Sequence, residues 1–163
     1  MAGARVEGPK GAPDDALPCA LRFLGYRPRS EAEIRGHLSR RDYSPIVIEQ
    51  ALAKLRSLNY VNDETFARNW SRSRAQSRGY GPNRLEQELR AKGIPPTLLR
   101  EVVRKLSSEM DIAENAKRLL GKKFKGQNLG EAKTQARAAA FLRRSGYSSK
   151  IIFDLLRYPI EED

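Results

Sequence analysis

Cysteine and histidine each occur once in this chain, as Cys19 and His37. A single thiol excludes an intramolecular disulfide. One Cys with one His falls short of a tetrahedral structural zinc site. Nothing nearby organises a nucleophile–histidine pair, so Cys19 reads as a small apolar residue on a helix face and His37 as a helix-surface residue beside Leu38. Aromatic residues are scarce, at 7% of the composition, with one tryptophan. No apolar run approaches the roughly 18 residues needed to span a bilayer. Also missing are a histidine cluster, a phosphate loop and paired carboxylates within an apolar pocket, so no catalytic constellation, cofactor site or metal site is expected and the chain reads as a non-enzyme. Asp63-Glu64 is the nearest approach to a carboxylate pair, and it suits the start of a helix better than a metal.

Charge is abundant and uneven. The 163 residues carry a net +11. Residues 1–62 contribute +3, residues 63–114 contribute +2 and residues 115–163 contribute +6. Between Asn115 and Phe153 there are ten Lys or Arg and one acid, Glu131. A concentration of one sign attracts a polyanion or sits beside one. The first stretch, rich in Gly, Ala and Pro, has no apolar block; residues 1–14 read as a disordered tail rather than a signal peptide, which points to the cytoplasm.

Three stretches match residue for residue. Leu38-Ser39-Arg40-Arg41-Asp42-Tyr43-Ser44 leads into Ile48 and Leu52; Leu89-Arg90-Ala91-Lys92-Gly93-Ile94-Pro95 leads into Leu99 and Val103; Leu142-Arg143-Arg144-Ser145-Gly146-Tyr147-Ser148 leads into Ile152 and Leu156. The copies begin 51 and then 53 residues apart (89−38 and 142−89). Ile34, Leu85 and Ala138 lie four residues before each repeat leucine, and Ser30, Gly81 and Thr134 lie eight before it, where a helix should begin. All other periodicity is helical, with no alternating strand pattern. Ser30 and Glu33 fit a capping box, Ser44-Pro45 a cap followed by proline at the first helical position, and Ser148 a further cap. Gly93 and Gly146 suit left-handed helix stops, which Asp42 also tolerates. The expectation is an all-α, elongated tandem array of three three-helix, helix-turn-helix-like repeats over 15–60, 61–107 and 108–158, with a flexible basic loop at 121–130, a break at Tyr158-Pro159 and an acidic tip at 159–163.

The motifs between these anchors resemble the RecX family, bacterial regulators of the RecA recombinase. The resemblance rests on Tyr26-Arg27-Pro28-Arg29-Ser30 ahead of Glu33-Ile34 and Leu38, on Asn59-Tyr60-Val61-Asn62-Asp63-Glu64-Thr65-Phe66-Ala67, on Gly79-Tyr80-Gly81-Pro82 ahead of Leu85, Glu88-Leu89 and Lys92-Gly93-Ile94, and on Phe124 with Phe141-Leu142-Arg143-Arg144-Ser145-Gly146-Tyr147. It covers about 16–157. Asn62 stands where the family commonly has an acid, and it caps a helix equally well. The resemblance implies a cytoplasmic, monomeric regulator in recombination and the SOS response. Such a regulator binds the RecA–DNA filament, limits its growth, ATP hydrolysis and strand exchange, and touches single- or double-stranded DNA weakly and salt-sensitively. It brings no catalytic residue.

Two basic sets are the candidate filament or DNA contacts. Phe66, Ala67, Trp70 and Ser73 form the apolar face of the helix opening the second repeat, which places Arg68 and Arg72 opposite and Arg74 and Arg78 nearer its edge. Tyr80 and Arg84 follow at the glycine turn. The second set is Lys122, Lys123 and Lys125 with Arg143 and Arg144, the last two of which also suit the negative end of their own helix. The alternative reading is a non-sequence-specific DNA-binding protein. Base readout is disfavoured because the third helices open with Ser44-Pro45-Ile46-Val47, Pro95-Pro96-Thr97-Leu98 and Ser148-Ser149-Lys150-Ile151, which carry few side chains able to reach base edges.

Overall fold

The repeat leucines are the centre of the core. Leu38, Leu89 and Leu142 are each 0% exposed in the computed structural model, which describes residues 13–157. The following apolar pairs, Ile48 and Leu52, Leu99 and Val103, and Ile152 and Leu156, are buried as well. Most of the expected N-terminal tail, the Tyr158-Pro159 break and the acidic tip lie outside the described residues.

After a 3-10 turn at Pro13–Asp15, the described residues form nine α-helices and no strand: α1 (Ala16–Leu24), α2 (Glu31–Ser39), α3 (Pro45–Ser57), α4 (Asp63–Arg78), α5 (Pro82–Ala91), α6 (Pro96–Glu109), α7 (Ile112–Lys123), α8 (Ala132–Arg144) and α9 (Ser149–Leu156). The caps expected at Ser44, Ser148 and Asn62 form, and Asp111 adds another. Ser44 accepts from the Val47 amide and Ser148 from the Ile151 amide, each at 3.4 Å. Asn62 accepts from the Thr65 amide at 2.9 Å and Asp111 from the Glu114 amide at 2.9 Å. By packing, the chain forms two compact bodies, and α4 begins in one and continues in the other.

The first body comprises the described residues through Phe66 together with Lys92–Ile94. In it α1, α2 and α3 pack on one another around Ala20, Ile34, Leu38, Ile48, Leu52 and Leu55. The start of α2 receives the Lys92-Gly93 turn. Ser30 is fully buried; its hydroxyl accepts from the Glu33 amide at 3.2 Å and donates to the Lys92 carbonyl at 2.6 Å. Glu33 completes the capping box on the Ser30 amide at 3.2 Å, and its carboxylate also takes Arg27 at 2.7 Å and Lys92 at 2.9 Å. Burial alone would raise the Glu33 pKa, but the hydrogen bonds from Arg27, Lys92 and the Ser30 amide outweigh it and hold the carboxyl at about 2. A Cβ on Gly93 (φ 74°) would lie 2.3 Å from the Ala32 Cβ.

The second body comprises Ala67–Ala91 and the described residues from Pro95 onward. Here α5 packs on α6, and α7, α8 and α9 enclose Ala116, Leu120, Phe124, Ala138, Leu142 and Ile152. The docking seen at Gly93 recurs in register. The Gly81 amide donates to the Ser145 carbonyl at 2.8 Å and the Asn83 amide to the Gly146 carbonyl at 3.1 Å. A Cβ on Gly146 (φ 91°) would lie 2.3 Å from the Arg84 amide nitrogen. Tyr147 secures the junction: its hydroxyl donates to the Gly79 carbonyl at 2.8 Å and accepts from Asn115 at 2.9 Å. Burial pushes the Tyr147 pKa up to about 12, against the opposing effects of the Asn115 bond and the Arg118 charge.

Several expectations are corrected. The expected loop at 121–130 starts later, because α7 runs through Gly121 to Lys123 and closes on buried Phe124. One mid-helix glycine costs about 1 kcal/mol, which the burial of Phe124 offsets. Thr134 does not cap α8. The helix starts at Ala132, and Thr134 is buried in its first turn with its hydroxyl 3.3 Å from the Glu131 carboxylate. On α4 the buried stripe is Phe66, Ala67, Ser71 and Ala75, while Ser73 is exposed. Small residues at a spacing of four carry that stripe. His37 is not a plain surface residue: its ring stacks on Phe23 with centroids 3.8 Å apart.

Two outcomes test this account. Gly146→Ala should lower unfolding stability by about 3 kcal/mol, since it adds a clash to a left-handed backbone. Gly126→Ala, also left-handed (φ 77°) but with nothing within 4 Å, should cost about 1 kcal/mol. Urea titration of both variants reads the difference. Glu33 has a folded pKa below its ordinary value of 4.5, so its contribution is complete above that value and is lost as the pH falls towards 2. Glu33→Gln should therefore cost about 1–2 kcal/mol at pH 7 and flatten the loss of stability between pH 4.5 and 2, measured by urea unfolding across that range.

Candidate functional site

The two basic sets differ in whether their charges are already satisfied. On α4, Arg72 donates to Glu109 at 2.8 Å. Arg74 lies 3.5 Å from Glu88 with its guanidinium 4.3 Å over the Trp70 ring. Arg84 reaches the same carboxylate at 3.9 Å and stands 5.4 Å from the centroid of the half-buried Tyr80 ring. Trp70, expected in the core, is half-buried and donates its indole N–H to Glu88 at 2.9 Å. Glu88 thus gathers Trp70, Arg74 and Arg84 into one network. Arg68 is exposed and also engaged within the chain. Arg78, exposed in the last turn of α4, makes no ion pair among the described residues. A shallow polar groove of about 440 Å³ along α4 is lined by Asn69, Arg72, Ser73, Gln76 and Ser77. Its side chains supply hydrogen bonds and one cation but no nucleophile–base pair.

The third repeat is arranged differently. Lys122, Lys123, Lys125, Arg143 and Arg144 are all exposed, and none makes an ion pair among the described residues. Lys122 and Lys123 belong to the last turn of α7, and only Lys125 lies beyond it. Phe124 packs edge-on against Phe141 at 5.8 Å, so the end of α7 is fastened to the α8 turn that leads into Arg143 and Arg144. Arg137 stands 6.0 Å from the Phe124 ring centroid. With Lys133 and Arg144 it forms a basic row along α8 at spacings of four and seven. Lys133 and Arg137 belong to this surface although they were not among the expected residues; the spacing was readable, but which helix end lay beside it was not. Among the described residues no three His, Cys, Asp or Glu side chains gather as metal ligands, and no helix is long and apolar enough to cross a membrane.

A family model described as "RecX, first three-helix domain" matches residues 16–55, and one described as "RecX, second three-helix domain" matches residues 62–103. The regulatory protein RecX of Syntrophotalea carbinolica is 38% identical over 142 residues, covering 85% of this chain and 92% of that protein. The chain belongs to the RecX family. The regulatory protein RecX of Bacillus subtilis is 34% identical over 147 residues, covering 88% of this chain and 56% of that protein. This RecX chain spans about half the length of the Bacillus and Listeria relatives it matches. The crystal structure of RecX from Lactobacillus salivarius superposes with a TM-score of 0.75 at 22% identity, over 89% of this chain and 94% of that one, and shares the tandem helical fold.

The Glu88 network makes a testable statement about this RecX surface. Glu88→Gln removes the shared counter-charge of Arg74 and Arg84 and should raise affinity for a labelled single-stranded oligonucleotide about two- to threefold at low salt. The lone tryptophan reports the loss of its partner as a fluorescence change. Unaltered oligonucleotide affinity would show that the α4 arginines take no part in binding it.

Proposed function

We propose that this chain binds the RecA–DNA filament and modulates it, mainly by inhibiting filament growth, ATP hydrolysis and strand exchange. Family membership supports a regulatory role, and the observation that carries the reading further is the unpaired, exposed cation set of the third repeat. Lys122, Lys123, Lys125, Arg143 and Arg144 have no carboxylate partner among the described residues, in contrast to Arg72, Arg74 and Arg84. Charges left open in this way draw on a polyanion by counterion release, so binding falls with salt. On this reading the chain acts by binding rather than catalysis, as a monomer in the cytoplasm, without a cofactor. The C-terminal repeat lies nearest the nucleic acid, and the other surfaces meet RecA.

The second reading, a non-sequence-specific DNA-binding protein, draws support from the three-helix units themselves. The openings of α3, α6 and α9 argue against base readout: the exposed side chain at the start of α3 is Ile46, 72% accessible, and α6 opens on Pro95-Pro96.

The deciding measurement is a titration of DNA-dependent RecA ATP hydrolysis. Inhibition should be complete at equimolar protein or below. Unchanged hydrolysis at saturation, together with tight binding to one duplex sequence, would overturn the filament reading. Lys122/Lys123/Lys125→Ala should weaken inhibition and reduce the salt slope of binding to single-stranded DNA by about 2, at roughly 0.7 for each phosphate no longer neutralised.

A further inference from the structure

The first body contains arginines of two kinds. Arg27, Arg35 and Arg56 are each paired with a glutamate: Glu33, Glu49 and Glu31 respectively. Arg22, Arg29, Arg40 and Arg41 make no ion pair among the described residues, and three of them, Arg29, Arg40 and Arg41, are held in place around one ring stack. The Arg29 guanidinium lies 3.9 Å over one ring, Phe23, which stacks in turn on His37. The Arg29 Nε is shielded from solvent and has no hydrogen-bond partner. Arg41 lies 3.1 Å from the His37 Nδ1, and Arg40 folds back over the space above Gly36. Burial first, then the charges of Arg41, Arg40 and Arg29, hold the His37 pKa down at about 4, so the imidazole is neutral and adds no charge of its own. The acid closest to Arg29, Glu33, is already occupied by Arg27 and Lys92.

Beside these cations stands Tyr26. It is 85% exposed, the most accessible of the large apolar side chains, in the loop between α1 and α2. It lies three positions after Phe23 and three before Arg29, within about 10 Å along the chain. Orienting three guanidiniums without a counter-charge is unfavourable unless an anion completes them. Planar guanidinium forks suit phosphate oxygens, and an exposed aromatic ring suits an unpaired base. A carboxylate-bearing protein surface would meet the charges but leave the ring without a role.

We infer that Arg29, Arg40 and Arg41, with Tyr26 as a stacking platform, form a binding site for single-stranded nucleic acid in the first body, separate from the third-repeat lysines. This deepens the filament reading by naming the partner chemistry of a second surface.

The test uses the full chain and a labelled twenty-nucleotide oligothymidine. Arg40→Gln/Arg41→Gln should weaken binding about tenfold at low salt and reduce the salt slope by about 1.4, for two phosphates at roughly 0.7 each. Tyr26→Ala should weaken it about tenfold while leaving the slope unchanged. Inorganic polyphosphate, which has no bases, should respond to the arginine change and not to Tyr26→Ala. His37, the sole imidazole, supplies a direct readout by NMR. Its ring resonances should shift on adding the oligonucleotide, and its pKa should rise towards 6.5 as phosphate offsets the arginines, in the parent and in Lys122/Lys123/Lys125→Ala alike. Melting curves of the variants exclude loss of fold, and if the arginine pair fails to fold, Tyr26→Ala and the His37 shift still decide. Unchanged oligonucleotide affinity in all variants with a silent His37 overturns the site. So does weakened binding to RecA alone with oligonucleotide affinity intact, which would assign the arginines to an acidic protein surface. RecA ATP hydrolysis measured in parallel separates the two readings. A parent chain that fails to inhibit while the oligonucleotide responses hold supports this site and removes the filament reading; inhibition with none of those responses does the reverse.

Discussion

A backbone carbonyl set one residue ahead of a left-handed glycine joins each repeat to the one before it. Lys92 offers that carbonyl to the Ser30 hydroxyl, and Ser145 offers it to the Gly81 amide. The following glycine, Gly93 or Gly146, brings the two backbones too close for any side chain, with the missing Cβ 2.3 Å from its neighbour in both cases. Bonds made at such short range tolerate little displacement. Glu33 beside Lys92 and Tyr147 beside Gly79 then add charged and buried hydrogen bonds that stiffen the same joints.

Within this frame the surface divides its cations by function rather than by number. The arginines of α4 are dense in sequence, but Glu109 neutralises Arg72 and Glu88 neutralises Arg74, and the indole of Trp70 shares the Glu88 carboxylate. They hold α4 against its neighbours as much as they face outwards. Between Asn115 and Phe153 the third repeat sets one acid, Glu131, against ten lysines and arginines, so most of that charge remains directed at solvent. The first repeat, nearly balanced in total, separates into paired and unpaired arginines. A net charge summed over a segment hides this distinction, and only the pairing shows which cations are open to a partner.

Much of the fold was legible because it rests on local rules. The leucine register, the serine caps at Ser30, Ser44 and Ser148, and the glycine stops each depend on residues within a few positions of one another. The misses have equally specific causes. Gly121 looked like a helix end, but burial of Phe124 three residues later keeps α7 going. Thr134 looked like a cap because the register pointed to it; α8 instead starts at Ala132 and buries the hydroxyl. Ser71 and Ala75 were passed over because small residues carry little hydrophobic signal, although they are what allows close packing on α4. At the candidate surfaces the residue types were readable and their partners were not. Nothing in the chain order says that Glu88 serves Arg74 and Trp70, or that His37 lies under Phe23 among arginines.

Asp42 occupies the same left-handed turn as Gly93 and Gly146, with φ 62°, yet it is exposed and carries a side chain. The turn geometry by itself therefore does not demand glycine; the neighbour lying against it does. That makes this single position a marker of place. At Gly93 and Gly146 a neighbouring repeat lies against the turn, through the Ala32 Cβ and the Arg84 backbone respectively, whereas the Asp42 turn is exposed.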